Sequence, residues 1–307
     1  MSILQKFKSN GKLLLTGEYT VLDGALSLAV PTRLGQSLQI HQTQEFSNKL
    51  VWTAYKSDGK LWFKTVLDIN SNKIDETTNL NFSKQLLHIF QEVQKLGSTK
   101  FENKVGYECI TRLDFPENWG LGTSSTLINN IAQWTKVNSY KLLEKTFGGS
   151  GYDIACAEAH TPITYQLKEN EVKKIEKVEI SSAITENLLF IYLNQKQNSR
   201  EGIQHYKQKT KSENLIDAIS NITREIIDPK ITFNQFRILI SEHEQLISEF
   251  INIDTVKKVL FSDYPGFVKS LGAWGGDFIM AEKLECSETY FKNKGYEVIK
   301  NYKDLIL

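Results

Sequence analysis

Residue types suited to phosphate chemistry gather in one run of this chain, Pro116-Glu117-Asn118-Trp119-Gly120-Leu121-Gly122-Thr123-Ser124-Ser125. Gly120 and Gly122 would let the backbone approach a ligand closely. The run sits between a strand-like stretch and a helical pattern, so it would open a helix N-terminus, whose unpaired N–H groups and positive dipole end suit phosphate. The hydroxyls of Thr123, Ser124 and Ser125 could bond phosphate oxygens or Mg²⁺. The plainer alternative is a glycine turn with a serine N-cap. The run is no Walker loop, because GxxxxGK[ST] occurs nowhere, and no dinucleotide fingerprint, because Ser125 stands where the third glycine belongs. HRD and DFG are absent too, which excludes the protein-kinase signatures.

Three further groups carry chemistry. Asp153, in Ser150-Gly151-Tyr152-Asp153, is a carboxylate at a glycine-rich bend that could accept the proton of a substrate hydroxyl. It reads equally as a first-turn carboxylate favoured by a helix dipole. Lys12, followed by Gly17-Glu18-Tyr19, could offset phosphate charge, or it is a solvated lysine on a strand. Gly272-Ala273-Trp274-Gly275-Gly276-Asp277 could turn backbone N–H groups toward an anion, or it is a tight turn between helix and strand.

The elements that must position these groups follow from periodicity. Lys12–Thr16, 26–30 and 37–40 read as strands, the last two separated around Pro31 and Gly35. Leu50–Tyr55 and Leu61–Leu67 read as a hairpin across Ser57-Asp58-Gly59. Phe82, Leu86, Ile89, Phe90, Val93 and Leu96 form a helical stripe stopped by Gly97. A strand over 105–113, a helix carrying Leu127, Ile128, Ile131 and Trp134, and a short helix over 153–158 follow. Strands at 163–167 and 188–193, long helices over 200–227 and 232–251, and a last strand 278–281 complete the reading. Lys173 to Lys177 reads as a solvated face or hairpin edge. The pattern is α+β without regular βαβ spacing.

Composition narrows the function. Among 307 residues, 37 Lys plus Arg nearly balance 36 Asp plus Glu, a net charge of +1, so the basic field of a nucleic-acid binder is missing. Cys109, Cys156 and Cys286 are far apart and form no CxxC, which points to reduced thiols rather than a zinc site or disulfide framework. No apolar run is long enough for a membrane span, and no signal peptide is legible at the start. A cytoplasmic protein with a small-molecule partner is expected; oligomeric state stays open.

Taken together and in this order, the segments resemble the GHMP kinase superfamily of galactokinase, homoserine kinase, mevalonate kinase and phosphomevalonate kinase. Gly11-Lys12-Leu13-Leu14-Leu15-Thr16-Gly17-Glu18-Tyr19 with Asp23-Gly24 matches the first family motif. Pro116 through Ser124 matches the phosphate loop PxxxGLGSS, with Thr123 for its first serine, and Gly272 through Asp277 matches the third motif. Ser150-Gly151-Tyr152-Asp153 sits where mevalonate and phosphomevalonate kinases carry a catalytic aspartate. The resemblance implies two α+β domains over 1–185 and 186–307, the first like ribosomal protein S5 domain 2 and the second ferredoxin-like, with an active site in the cleft between them.

It also implies residue roles. Gly120, Leu121, Gly122, Thr123, Ser124 and Ser125 would wrap the ATP phosphates, and Ser124 would help hold Mg²⁺. Asp153 would take the substrate proton, with Lys12 stabilising charge beside it. Glu18, Tyr19, Gly275 and Gly276 would contact the substrate. Glu144 is a candidate second Mg²⁺ ligand, and Arg200 either binds an extra phosphate or is a helix-start arginine. Asn10, Trp119, Trp274 and Tyr19 depart from the family pattern on the substrate and nucleotide sides. The expected activity is phosphoryl transfer from ATP to a mevalonate-pathway acceptor, mevalonate or phosphomevalonate. The alternatives are a non-catalytic nucleotide- or metabolite-binding relative, for which the intruding tryptophans speak, and a mevalonate-diphosphate decarboxylase.

Overall fold

A computed structural model describes residues 5–44, 48–101, 105–168, 173–196, 199–272, 274 and 276–307. The chain forms two compact units, each assembled from separated stretches of sequence. The first comprises Met1–Gly11, Leu34–Glu117 and Leu121–Glu158; the second comprises Lys12–Arg33, Asn118–Gly120 and Ala159–Leu307.

Two long strands pass from one unit to the other, β1 (Gln5–Thr16) and β2 (Ser27–Thr43). The two short strands expected around Pro31 are thus one. Proline donates no hydrogen bond, and Pro31 falls between Ser27–Ala29 and Gln36–Thr43, the stretches of β2 paired with two different strands further along the chain.

In the first unit, β3 (Lys49–Tyr55) and β4 (Leu61–Asp68) form the expected hairpin. Gly59 takes the left-handed conformation at its turn (φ 80°) and donates to the Lys56 carbonyl at 3.0 Å. Sequence reading missed β5 (Lys73–Thr77), which has only one apolar residue and stays mostly exposed. Helix α1 (Leu80–Lys95) starts where the Asn79 side chain accepts the Phe82 N–H, and its stripe Leu86, Ile89, Phe90 and Val93 is buried. Strand β6 (Gly106–Leu113) then pairs parallel with β3 and antiparallel with β2, giving a mixed order β5-β4-β3-β6-β2. Helices α2 (Thr123–Thr135), α3 (Ser139–Thr146) and α4 (Tyr152–Glu158) complete the unit. The core gathers Trp52, Phe90, Phe101, Tyr107 and Trp134 in edge-to-face contacts at 5.3–6.0 Å.

In the second unit, the first half of β2 pairs with β7 (Ile163–Leu167), and β7 pairs with β8 (Lys173–Lys177). The lysine-rich run 173–177 is therefore an edge strand, its charges facing water as edges require. A short turn of helix, α5 (Ser182–Thr185), leads to the fully buried β9 (Leu188–Tyr192). The single helix expected over 200–227 is two, α6 (Ser199–Lys207) and α7 (Glu213–Ile226). Polar residues 208–212 interrupt the stripe, and Ser212 starts α7 by accepting the Leu215 N–H. Helix α8 (Phe233–Ile251) has a complete capping box between Thr232 and Gln235.

After α9 (Val256–Leu260) come β10 (Val268–Ser270), β11 (Phe278–Glu282), α10 (Ser287–Asn293), β12 (Ile299–Asn301) and α11 (Tyr302–Leu305). The antiparallel order β10-β11-β9-β12, with helices between β9 and β10 and between β11 and β12, is the ferredoxin-like arrangement expected for this half. One face of this sheet packs Ile191, Ile279 and Ala281 on Phe261, Tyr264 and Phe291. A separate core joins Tyr206 of α6, Ile216 and Ile219 of α7, and Ile247 and Ile251 of α8 to Tyr19 and Trp274. Among the described residues, no helix is long and apolar enough to cross a membrane.

Candidate functional site

The glycine-rich run opens α2 as the sequence suggests. Gly122 is the N-cap in the left-handed conformation (φ 94°), and no side chain caps the helix. The first intrahelical bond is from Thr126 N to Gly122 O at 3.0 Å, so the N–H groups of Thr123, Ser124 and Ser125 precede the helical ladder. The Ser124 side chain is exposed, and Thr123 is half-buried. Ser125 is turned inward instead. Its Oγ donates to Gly122 O at 2.9 Å, so it braces the turn.

Polar contacts that the sequence did not disclose hold this helix in place. Asn130 Nδ2 donates to Gln36 O at 2.9 Å and its Oδ1 accepts from Ser9 Oγ at 2.8 Å. Asn129 Nδ2 donates to Ser9 Oγ at 3.0 Å, and Thr126 Oγ1 to Gln36 Oε1 at 3.0 Å. These bonds tie α2 to β1 and β2. They are buried, so leaving one unmade costs more than an exposed bond would. The available signal was Thr126, Asn129 and Asn130 at helical spacing, a polar side of α2 opposite Ile128 and Ile131 and buried as they are.

Asp153 lies in the first turn of α4, half-buried, with its Oδ1 accepting the Ile154 N–H at 3.1 Å. Gly148, Gly149 and Gly151 before it all have positive φ. Tyr140 of α3 is pushed up by burial first and then by the Glu158 and Asp153 charges, so its hydroxyl stays neutral beside them. Glu144 is exposed, with Lys145 Nζ 3.7 Å away.

In the second unit, Lys12 and the start of the glycine run come together. Lys12 Nζ donates to Gly120 O at 3.1 Å. Gly120 is held at φ 67°, and a Cβ built on it would lie 2.4 Å from both Cγ and Oδ2 of Asp277. A glycine is thus required there by space and by backbone. Asp277 itself is buried and left-handed (φ 55°). Its N–H donates to Gln195 O and its carbonyl accepts from Leu193 N, both at 2.8 Å. Trp119 packs on Tyr192 and Phe278, and Tyr192 Oη donates to Asn118 O at 3.2 Å. The ends of β9 and β11 therefore seat Asn118-Trp119-Gly120, and the second and third motifs meet at the Gly120–Asp277 contact.

Glu18 and Tyr19 are also in this unit, and both are buried. Glu18 pairs with Lys269 of β10. Tyr19 takes a left-handed backbone (φ 61°), stacks on Tyr206 at 5.7 Å, and accepts the Trp274 N–H on its hydroxyl at 3.3 Å. Gly276 is described, while Gly275 and the Arg200 side chain lie outside the described residues. Lys12, Glu18, Tyr19 and Gly120 thus belong to one unit, and Leu121 to Ser125 with Asp153 to the other. Sequence reading missed Lys269, His243 and Glu244. The last two interrupt the buried stripe Phe236, Ile240, Ile247 and Ile251 of α8, and that interruption was legible. Cys109 and Cys156 are buried and Cys286 is exposed, and none of the three is in a disulfide.

No protein-family model matches the chain, and no curated protein matches it. Solved structures do match. The Methanococcus jannaschii mevalonate kinase is 19% identical with a TM-score of 0.69, covering 97% of this chain and 96% of that one. The Streptococcus pneumoniae phosphomevalonate kinase is 15% identical, TM-score 0.68, covering 97% and 99%. The Lactococcus lactis galactokinase, solved with galactose, is 12% identical, TM-score 0.66, covering 94% and 88%. Across nearly its whole length the chain shares the α+β fold of these three kinases.

Proposed function

We propose that the protein is an ATP-dependent small-molecule kinase of the GHMP type, with mevalonate or phosphomevalonate as acceptor. The observation that carries this reading is the start of α2, a left-handed Gly122 opening a helix that no side chain caps, preceded by a Gly120 with no room for a side chain. Such an N-terminus is built to receive phosphate oxygens on backbone N–H groups. Fold and motif order add support, as does the Streptococcus pneumoniae phosphomevalonate kinase of this fold solved with phosphomevalonate and AMPPNP.

In this reading the acceptor oxygen attacks the γ-phosphorus as the bond to the β,γ-bridging oxygen breaks, and ADP leaves. Asp153 takes the acceptor proton, and the Lys12 ammonium offsets the charge that develops on the phosphoryl oxygens. Gly120 to Ser125 bind the ATP phosphates. Glu18, Tyr19, Gly275 and Gly276 are assigned to the acceptor side. The exposed Ser124 hydroxyl at the helix start would serve as a ligand of Mg²⁺, which when bound would neutralise phosphate charge.

The two tryptophans that spoke for a non-catalytic relative are taken up by packing, Trp119 on Tyr192 and Phe278 and Trp274 in the core with Tyr19. The test is coupled ADP release with Mg²⁺-ATP over mevalonate, phosphomevalonate, galactose and homoserine, with carbon dioxide measured alongside for mevalonate diphosphate. Turnover on mevalonate or phosphomevalonate is expected. ATP binding without transfer to any of them sinks the kinase reading, and carbon dioxide release converts it to a decarboxylase.

A further inference from the structure

The second unit holds a buried group of charges, three of which, Lys269, Glu244 and His243, have no part in the phosphoryl-transfer reading. Lys269 is wholly buried on β10. Its Nζ pairs with Glu18 Oε1, donates to Ser270 O at 2.8 Å, and lies 3.9 Å from Glu244 Oε2. Glu18 follows β1, and Glu244 comes from α8. The other Glu244 oxygen, Oε1, accepts from Ser270 N at 3.0 Å and Ser270 Oγ at 2.9 Å. His243, also on α8, completes the group. Its Nε2 accepts the Gly17 N–H at 2.8 Å, so that nitrogen carries no proton and the ring is neutral. Glu18 Oε2 sits 3.4 Å from the same nitrogen, two acceptors facing each other, and so is not bonded by it.

One ammonium thus faces two carboxylates in the interior. Two buried anions beside one cation leave an uncompensated charge, which the interior disfavours. Geometry decides which carboxylate keeps its charge. Glu18 Oε1 is in contact with Lys269, whereas Glu244 Oε2 stands off at 3.9 Å; the Oε2 atoms of both carboxylates lack a hydrogen-bond partner, so the distance to Lys269 is what separates them. Glu244 is the neutral one. Consistent with this, burial is the main cause that lifts Glu244 to about 7, against the pull of Lys269 and the Ser270 bonds. Burial first, then the Lys269 charge, holds His243 well below its ordinary value.

The cluster leads directly to the motifs. Gly17, held by His243, and Glu18, held by Lys269, precede Tyr19 in its left-handed turn. The Tyr19 hydroxyl in turn accepts the Trp274 N–H of the third motif. Gly17 has no freedom to accommodate an error, since a Cβ on it would fall 2.0 Å from Ser27 Oγ.

We propose that Lys269 is a positioning residue: by pairing with Glu18 in the interior, beside a neutral His243 and a protonated Glu244, it fixes the Gly17–Tyr19 turn and, through Tyr19, the backbone at Trp274. Its consequence for turnover rests on the kinase reading above; its consequence for the two motifs does not.

The experiment uses the full chain with Lys269→Arg, Lys269→Met and Glu244→Gln, read by amide hydrogen exchange, thermal unfolding and ADP release. Lys269→Arg keeps the charge but replaces a compact ammonium with a planar fork. It is expected to stay folded, to raise exchange at Gly17–Thr20 and around Trp274, and to lower kcat by about tenfold or more. Lys269→Met is expected to lower Tm by about 10 °C, and if it does not fold, Lys269→Arg decides alone. Glu244→Gln is expected to keep the exchange pattern, with the wild type losing Tm relative to it as pH rises from 5 to about 7. Unchanged exchange at both motifs in Lys269→Arg overturns the proposal, and so does a pH-independent Tm difference between wild type and Glu244→Gln. A wild type without turnover on any acceptor defeats the kinase reading alone, because the exchange and Tm measurements still decide the role of Lys269.

Discussion

At the scale of single residues, Gly120 has two independent reasons to be glycine. Its φ of 67° is left-handed, and the Asp277 carboxylate occupies the place of a Cβ. Left-handed backbone alone costs a non-glycine residue about 1–2 kcal/mol, and the clash adds to that. Gly120→Ala is therefore expected to weaken ATP binding by about tenfold or more, measured by calorimetry on protein whose circular dichroism is unchanged. Asp153 makes a different kind of prediction. Asp153→Asn preserves shape and removes the proton acceptor, so kcat should fall by about 10²–10⁴ with ATP affinity kept. Equal kcat in the variant would remove Asp153 from its proposed role. The sequence named both residues, yet it did not pair Gly120 with Asp277, which lies far away along the chain. That pairing depends on where β9 and β11 end.

At the scale of elements, the helices that carry functional groups are set by polar contacts as much as by their apolar stripes. Helix α2 is legible from Leu127, Ile128, Ile131 and Trp134, but its placement against the strands comes from Thr126, Asn129 and Asn130. Asn130→Ala leaves the Ser9 hydroxyl proton without its acceptor and takes the Asn130 donor from the Gln36 carbonyl, which should cost about 1–3 kcal/mol. Urea unfolding measures that loss, and a matching loss of ATP affinity is expected because the same helix carries the phosphate-binding N-terminus. Helix α8 shows the converse case. Its capping box was readable from Thr232 and Gln235, and Thr232→Ala should cost about 1 kcal/mol, seen as a Tm lower by a few degrees. Period counting failed at 208–212, where polar residues in a plausible helical register conceal a break that Ser212 recaps.

At the scale of the whole molecule, ligand and proton linkage are the observables. If Mg²⁺-ATP binds only the native state, stability should rise by about 2.7 kcal/mol at 100 times Kd, visible as a Tm increase that ADP shares and that Gly120→Ala cuts to about half or less. The buried cluster gives a pH signature with two opposing signs. Glu244 is raised in the folded state, so its contribution is present below the ordinary carboxylate value and is lost as pH rises through about 7. His243 is depressed, so acidification below its ordinary value of 6.5 protonates the unfolded chain preferentially and removes stability. Between pH 5 and 6.5 the two slopes offset each other. Glu244→Gln should expose the histidine slope, about 1.4 kcal/mol per pH unit, in urea unfolding across that range. Sequence by itself determined the α+β class, the hairpin across Ser57-Asp58-Gly59, the apolar helix stripes and the order of the glycine motifs, because turn chemistry and apolar periodicity are local properties. Tertiary structure alone decided that Lys12 reaches Gly120, that Asp277 excludes any side chain there, and that Glu18 meets a lysine from β10. Those facts depend on which distant segments share an interior, and one-dimensional spacing does not encode the distance between them.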